Sequence, residues 1–158
     1  MNRDAILRLI ENLKAPRIRH YQGTWLSDHS DVLVISHGDR WSCATSGCAA
    51  GFTFLEEAEE GSVFDSTTEQ VFSSMKQYSA WCASNLREPR PGAAASCTER
   101  SEDGVLMFDW ARDKLGFTDK QAMWVFMDFT CDTDNTINKL RFLLQAEDIS
   151  LYVSGMKY

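Results

Sequence analysis

The sequence lacks the segments that identify membrane and secreted proteins and the motifs that identify many nucleotide-binding enzymes. No apolar run approaches the roughly 18 residues that a membrane-spanning helix needs. Charged residues interrupt the apolar positions of residues 1–14, unlike the apolar core of a signal peptide. The sequence has no glycine-rich phosphate loop, no serine nucleophile elbow and no dinucleotide-binding fingerprint. These absences predict a cytoplasmic protein that does not bind membranes.

Positive charge is scarce, and so are cysteines in regular patterns. The chain has 16 Lys and Arg residues against 23 Asp and Glu residues, a net charge of −7. This charge favours solubility, disfavours binding to nucleic acids and suits a basic protein partner. The five cysteines are odd in number and irregularly spaced, which argues against a disulfide framework. We therefore expect mostly reduced thiols.

What the sequence does contain is the apolar periodicity of a mostly helical protein. The length of 158 residues predicts a single domain over residues 1–158 that is long enough to bury a core. The patterning predicts an α+β fold, mostly helical, of about five helices packed with one small β-hairpin. The hairpin is expected over residues 32–43. Residues 87–104, rich in Pro, Ala and Ser, predict a flexible loop or insertion.

Capping signals locate the predicted helices. Asn2 begins the first helix, and the small residues from 47 lead into a second that ends near residue 60. A capping-box pattern over residues 66–69 predicts a helix over 67–84 with Val71, Met75, Tyr78 and Cys82 on one face. A fourth helix is expected over 105–114. Thr118 is expected to cap the next helix, with Ala122, Phe126 and Phe129 facing inward. The turn at 132–135 is expected to begin the last helix. A short strand or ordered extension is expected over 149–158.

The densest local signal is the stretch of residues 43–52, with the sequence CATSGCAAGF. Very small residues at this density indicate that two backbone segments approach closely. We interpret Cys43, Thr45, Cys48 and Gly51 as a structural motif at a strand-to-helix turn. Thr45 or Ser46 is expected to cap the following helix.

This stretch also has two chemical alternatives to a packing role. Cys43 and Cys48 have a spacing compatible with zinc, but the sequence contains no second ligand pair, so no metal and no cofactor is predicted. Cys48 beside a helix start is a candidate thiolate nucleophile. All three histidines precede it, and no base with an orienting partner can be named. Residues 132–135 fail the EF-hand pattern and are interpreted as a helix cap.

Tryptophan is the other abundant signal, with five residues in the chain. Trp110 and Trp124 lie next to the inward faces of their predicted helices, where an exposed aromatic pair would mark a binding surface. Trp25 and Trp41 lie near polar loops that are suited to line a pocket. These four tryptophans are the candidate binding residues.

The chain resembles a set of small proteins of actinobacteria and their bacteriophages. The resemblance is carried by QGTW at 22–25, CATSGCAAGF at 43–52, LGFTDKQAMWVF at 115–126 and the leucine-rich segment 140–144. Phe52 stands where that pattern more often has Trp, and Ala44 where it has Gly. The resemblance implies a phage or prophage accessory protein in the host cytoplasm, and it implies no particular enzymatic activity.

Three functions follow as hypotheses. The first is a non-catalytic accessory protein that binds a host protein and modulates host physiology or defence. The second is a protein that binds and sequesters a small molecule or nucleotide in a pocket lined by tryptophans. The third is a metal- or cysteine-dependent enzyme. The oligomeric state is left open by the sequence.

Overall fold

The fold is α+β and mostly helical, as the patterning predicts. A computed structural model describes residues 1–27, 31–36, 41, 46–85 and 104–155. The helices in these ranges are α1 (Arg3–Lys14), α2 (Ala49–Glu57), α3 (Met75–Asn85), α4 (Met107–Leu115), α5 (Asp119–Phe126) and α6 (Thr133–Gly155). The strands are β1 (Arg19–His20), β2 (Leu26–Ser27), β3 (Val32–Val34), β4 (Ser46–Gly47), β5 (Val63–Asp65), β6 (Gln70–Phe72) and β7 (Val105–Leu106).

The described strands form two small sheets. In the first, β4 lies between β1, to which it is parallel, and β2, to which it is antiparallel. The second sheet is antiparallel with the order β3-β5-β6-β7, so that Leu33 pairs with Phe64 and Phe64 with Val71. Each sheet covers one part of the helical core.

Helix α2 occupies the centre of that core. All residues from Ala49 to Leu55 are buried, including the large side chains of Phe52, Phe54 and Leu55. The helix packs against α1 and α4. A helix that is buried on every face must be surrounded by other elements, so the position of α2 determines where its neighbours lie.

Three predicted helix caps and one predicted helix end are confirmed. The Asn2 side chain accepts from the Ala5 amide at 3.3 Å and caps α1. Gly116 ends α4 with a φ of +64°, and Thr118 with Gln121 forms a complete capping box on α5. The Asp132 side chain accepts from the Asn135 amide at 2.8 Å in the first turn of α6.

The predicted helix over 67–84 is wrong in its first half. Residues 63–72 form the β5–β6 hairpin, and α3 begins only at Met75. The supposed capping box is the hairpin turn, in which the Asp65 carboxylate accepts from the amides of Thr67 and Thr68 at 2.9 and 3.3 Å. Hydroxyl and acidic residues serve turns and helix starts equally well, and strand pairing decided between them.

The predicted hairpin over 32–43 also pairs differently. Strand β3 pairs with β5, which is about 30 residues further along the chain. Trp41 is buried outside any strand, and residues 42 and 43 lie outside the described ranges. Residues 149–155 continue α6 rather than forming a strand. The predicted loop over 87–104 lies outside the described ranges except for Gly104.

Gly51→Ala should lower the free energy of unfolding by about 3 kcal/mol, because overpacking a core typically costs about 1–3 kcal/mol or occasionally more. The added Cβ would lie 1.8 Å from the Trp25 carbonyl oxygen, which belongs to the backbone and cannot rotate away. At an open helical position, replacing glycine by alanine stabilises the protein by about 1 kcal/mol. The sign of the change in the free energy of unfolding therefore distinguishes a crowded position from an open one. Urea unfolding followed by circular dichroism measures the change.

Gly61→Ala is the control for this prediction. No atom lies within 4 Å of the Cβ it would add, and Gly61 has a φ of +82°. Only backbone strain of about 1–2 kcal/mol is therefore expected. If Gly51→Ala destabilised the protein no more than Gly61→Ala, the close approach would not be a constraint.

Candidate functional site

The Cys48–Gly51 part of the motif is a close packing site, as predicted. Cys48, Ala49 and Ala50 are at most 1% exposed, and Gly51 is buried. The Cys48 amide donates to the carbonyl oxygens of Thr24 and Trp25 at 2.9 and 3.2 Å. The first turn of α2 thus lies directly on the backbone of the segment before β2. Cys43 and Thr45, the other two motif residues, lie outside the described ranges.

The cap of α2 comes from a residue that the sequence analysis did not single out. The buried Gln22 side chain accepts from the Ala49 amide at 3.0 Å and donates to the Val125 carbonyl at 2.8 Å. Ser46, one of the predicted caps, lies in β4 instead, and Cys48 at the cap position makes no side-chain capping bond. Because residues 22 and 49 are far apart in the chain, no local sequence pattern predicts this hydrogen bond.

His20 extends this network to α6. Its Nε2 lies 3.1 Å from Gln22 Oε1, and its Nδ1 lies 3.0 Å from the Thr133 hydroxyl. Because Gln22 Oε1 only accepts, Nε2 carries the hydrogen and Nδ1 accepts from Thr133. Burial lowers the pKa of His20, and the Asp132 carboxylate opposes this only in part. The neutral imidazole therefore joins β1 to the first turn of α6.

The Cys48 thiol does not have the properties of a nucleophile. Burial raises its pKa to about 11, and the nearby backbone amides in the first turn of α2 oppose this only in part. The thiol is thus protonated at neutral pH. Across the described ranges, no three His, Cys, Asp or Glu side chains are grouped so that they could hold a metal ion.

The clearest exposed site lies between α5 and α6, and we call it the Trp124 groove. Trp124 is 42% exposed and Phe142 is 60% exposed, and their rings meet edge to face at 5.8 Å. Met123, which is 53% exposed, directly precedes Trp124 on α5. The groove has a volume of about 430 Å³, and its described lining is Trp124, Asp128, Thr130, Cys131, Asn135, Asn138, Lys139 and Phe142.

Lys139 holds the groove in a fixed geometry. Its ammonium group donates to the Trp124 carbonyl at 2.8 Å and to the Asp128 carboxylate at 2.7 Å. The same group lies 5.4 Å from the centre of the Trp124 ring, within cation–π distance. The hydrogen bond from Lys139, with a further one from Thr130, lowers the pKa of Asp128. The two charges in the groove therefore compensate each other, and the exposed aromatic surface is held in place.

The other predicted binding tryptophans occupy different places. Trp110 is half-buried and packs edge to face on Phe54 at 5.3 Å, so Trp124 is paired with Phe142 and not with Trp110. Trp41 is buried against Phe52 in the core. Trp25 is half-buried and lines a separate cavity.

The predicted inward orientation of Phe129 is wrong. Phe129 is 60% exposed, whereas Val125, which was not among the predicted inward residues of this helix, is buried. Helix α5 ends at Phe126, so the helical spacing that predicted the orientation of Phe129 no longer applies there.

Comparison of the chain with known protein families, with curated proteins and with solved structures found no match. Within the described ranges, none of the helices combines the length and the apolar character needed to span a bilayer. The resemblance to actinobacterial and phage proteins therefore stays a prediction.

The half-buried His20 should make stability depend on pH. Since its pKa is lowered in the folded protein, the unfolded chain binds a proton more readily below about pH 6.5. The free energy of unfolding should fall as the pH drops through this range and level off below the folded-state pKa. Urea unfolding between pH 5 and pH 8 should show a smaller slope for His20→Gln than for the wild type. An unchanged slope in His20→Gln would contradict the assignment.

Cys48 should resist alkylation in the native protein. With a pKa of about 11 and 1% exposure, almost no thiolate is available at pH 8. The half-buried Cys82 on α3 is the internal comparison. Peptide mass spectrometry after iodoacetamide treatment should find Cys82 modified and Cys48 unmodified, and both modified in urea. Equal labelling of the two in native buffer would contradict the burial of Cys48.

Proposed function

We propose that the protein is a non-catalytic binding protein that docks a partner protein in the Trp124 groove. The observation that carries this proposal is the exposed Trp124–Phe142 pair held by Lys139. Tryptophan is the residue type most enriched among those that dominate binding energy at protein interfaces. An aromatic surface that is already ordered loses little further entropy when a partner binds.

The chemistry of the groove and its surroundings favours a particular kind of partner segment. The aromatic floor suits an apolar side chain, and the Asp128–Lys139 ion pair leaves the lining without net charge. Asp132 and Asp134, which are close in sequence to the groove residue Asn135, are exposed. The whole protein carries a charge of −7. We therefore assign the groove to a segment with an apolar anchor flanked by basic residues.

The source of the partner rests on the sequence resemblance alone. The segments at 43–52 and 115–126 resemble proteins of actinobacteria and their phages, and the second of them contains Trp124. In this proposal the chain is a phage or prophage accessory protein, and the partner is a host protein whose activity it modulates. The sequestration and enzyme hypotheses have no comparable support from the groove, because its two charged described lining residues, Asp128 and Lys139, are paired with each other.

Site-specific crosslinking tests whether a partner occupies the groove. Benzoylphenylalanine placed at position 142 should capture one basic host protein, identified by mass spectrometry. The same group at position 7 should not, although Leu7 is also exposed, at 43%, on α1. Equal capture at both positions, or capture only of a second copy of this chain, would contradict the proposal.

Affinity measured with the identified and purified partner tests the energetics. Trp124→Ala should weaken binding by about 30-fold or more, since truncating a central aromatic anchor costs at least about 2 kcal/mol. Leu7→Ala should change affinity less than about twofold, as expected outside the interface. Thermal unfolding of each variant separates loss of binding from loss of fold. A Trp124→Ala variant that is folded and binds like the wild type would overturn the proposal.

A further inference from the structure

A second site, which we call the Trp25 cavity, lies between the segment before β2 and the β5–β6 hairpin. It has a volume of about 260 Å³. Its described lining is Gln22, Gly23, Thr24, Trp25, Leu26, Phe64, Ser66, Glu69, Met127 and Phe129. The cavity is separate from the Trp124 groove, because Met127 and Phe129 line the cavity whereas the intervening Asp128 lines the groove.

The lining combines aromatic surface with one negative charge. Trp25, Phe64 and Phe129 supply aromatic rings, and Leu26 and Met127 supply further apolar surface. Glu69 is the one ionisable residue among the described lining residues. In the described part of the chain, no ion pair or side-chain hydrogen bond involves the Glu69 carboxylate. Within the described ranges, the exposed Glu69 is therefore the one charged residue of a cavity whose other described lining is largely aromatic and apolar.

The backbone at Glu69 has a left-handed conformation at the end of the β5–β6 hairpin turn. Glu69 has a φ of +58°, the one positive value among the described non-glycine residues. Its carbonyl oxygen accepts from the Met107 amide at 2.8 Å, which ties this conformation to the start of α4. Glycine or asparagine would adopt it at lower cost. A left-handed residue is common in hairpin turns, so the turn accounts for the backbone conformation but does not require a glutamate side chain there.

We propose that the Trp25 cavity binds an organic cation, an ammonium or guanidinium group carried on a short apolar body. The Glu69 carboxylate pairs with the cationic group, and the aromatic rings interact with its charge and cover the apolar body. The negative charge of the whole protein adds a favourable long-range field. This inference does not depend on the docking of a partner in the Trp124 groove.

A titration with a cation and its neutral analogue tests the proposal. The methyl group of Met127, labelled with ¹³C and assigned by Met127→Leu, reports on the cavity wall by NMR. 2-Phenylethylammonium at millimolar concentration should shift this signal saturably, and 2-phenylethanol should bind at least about fivefold more weakly. Equal affinity for the two compounds, or no saturable shift with the cation, would overturn the proposal.

Variants of Glu69 separate charge from shape. Glu69→Gln should weaken the cation about fivefold or more and leave the affinity for 2-phenylethanol unchanged. Glu60→Gln is the control, because it removes the same charge from an exposed position away from the cavity. Glu69→Gly should raise the melting temperature by relieving strain and still lose cation binding. If Glu69→Gln and Glu60→Gln bound the cation equally, the carboxylate would have no role.

The cation can come from a free amine or from the side chain of a bound protein, and a second probe distinguishes these sources. Nα-acetyl-arginine methylamide presents a guanidinium group as it occurs in a polypeptide. Tighter binding of this probe than of 2-phenylethylammonium, lost in Glu69→Gln, identifies an arginine side chain as the natural occupant. The reverse order identifies a small amine. Trp124→Ala should affect neither titration, and a loss of binding in that variant would overturn the independence of the two sites.

Discussion

The close contact between the first turn of α2 and the backbone of residues 22–26 is the constraint on which the fold depends. A Cβ at Gly51 would collide with the Trp25 carbonyl oxygen, and the Cys48 amide donates to the same stretch of backbone. The neighbouring Ala49 and Ala50 are completely buried in the same turn. With α2 held there and buried on all faces, α1 and α4 pack around it.

The same contact connects the core to both candidate sites. Gln22 caps α2 and also binds the Val125 carbonyl near the end of α5, and His20 binds Thr133 at the start of α6. The connection between α5 and α6 is thus held at both ends by polar groups with satisfied hydrogen bonds. Residues of this connection line the Trp25 cavity on one side and the Trp124 groove on the other. The contact that holds the start of α2 therefore also helps to position both sites.

How much the sequence predicted depended on the range of the interactions. The caps at Asn2, Thr118 and Asp132 and the stop at Gly116 were predicted correctly, because donor and acceptor lie within four residues of each other. The assignment of residues 66–69 to a helix start was wrong, because hydroxyl and acidic residues occur both at helix starts and in hairpin turns. Trp124 was singled out as a binding residue because it lies beside the apolar face of its helix, but its partner Phe142 was not.

The sequence by itself determined the fold class, four of the helix ends and the packing role of the small residues at 48–51, because these follow from side-chain size, periodicity and local hydrogen bonds. Only the tertiary structure decided that Gln22 caps α2, that β3 pairs with β5 and that Trp124 meets Phe142. Each of these contacts joins residues 18 or more positions apart. Many partners of similar chemistry compete for such contacts, and the choice among them is made by the packing of the whole core.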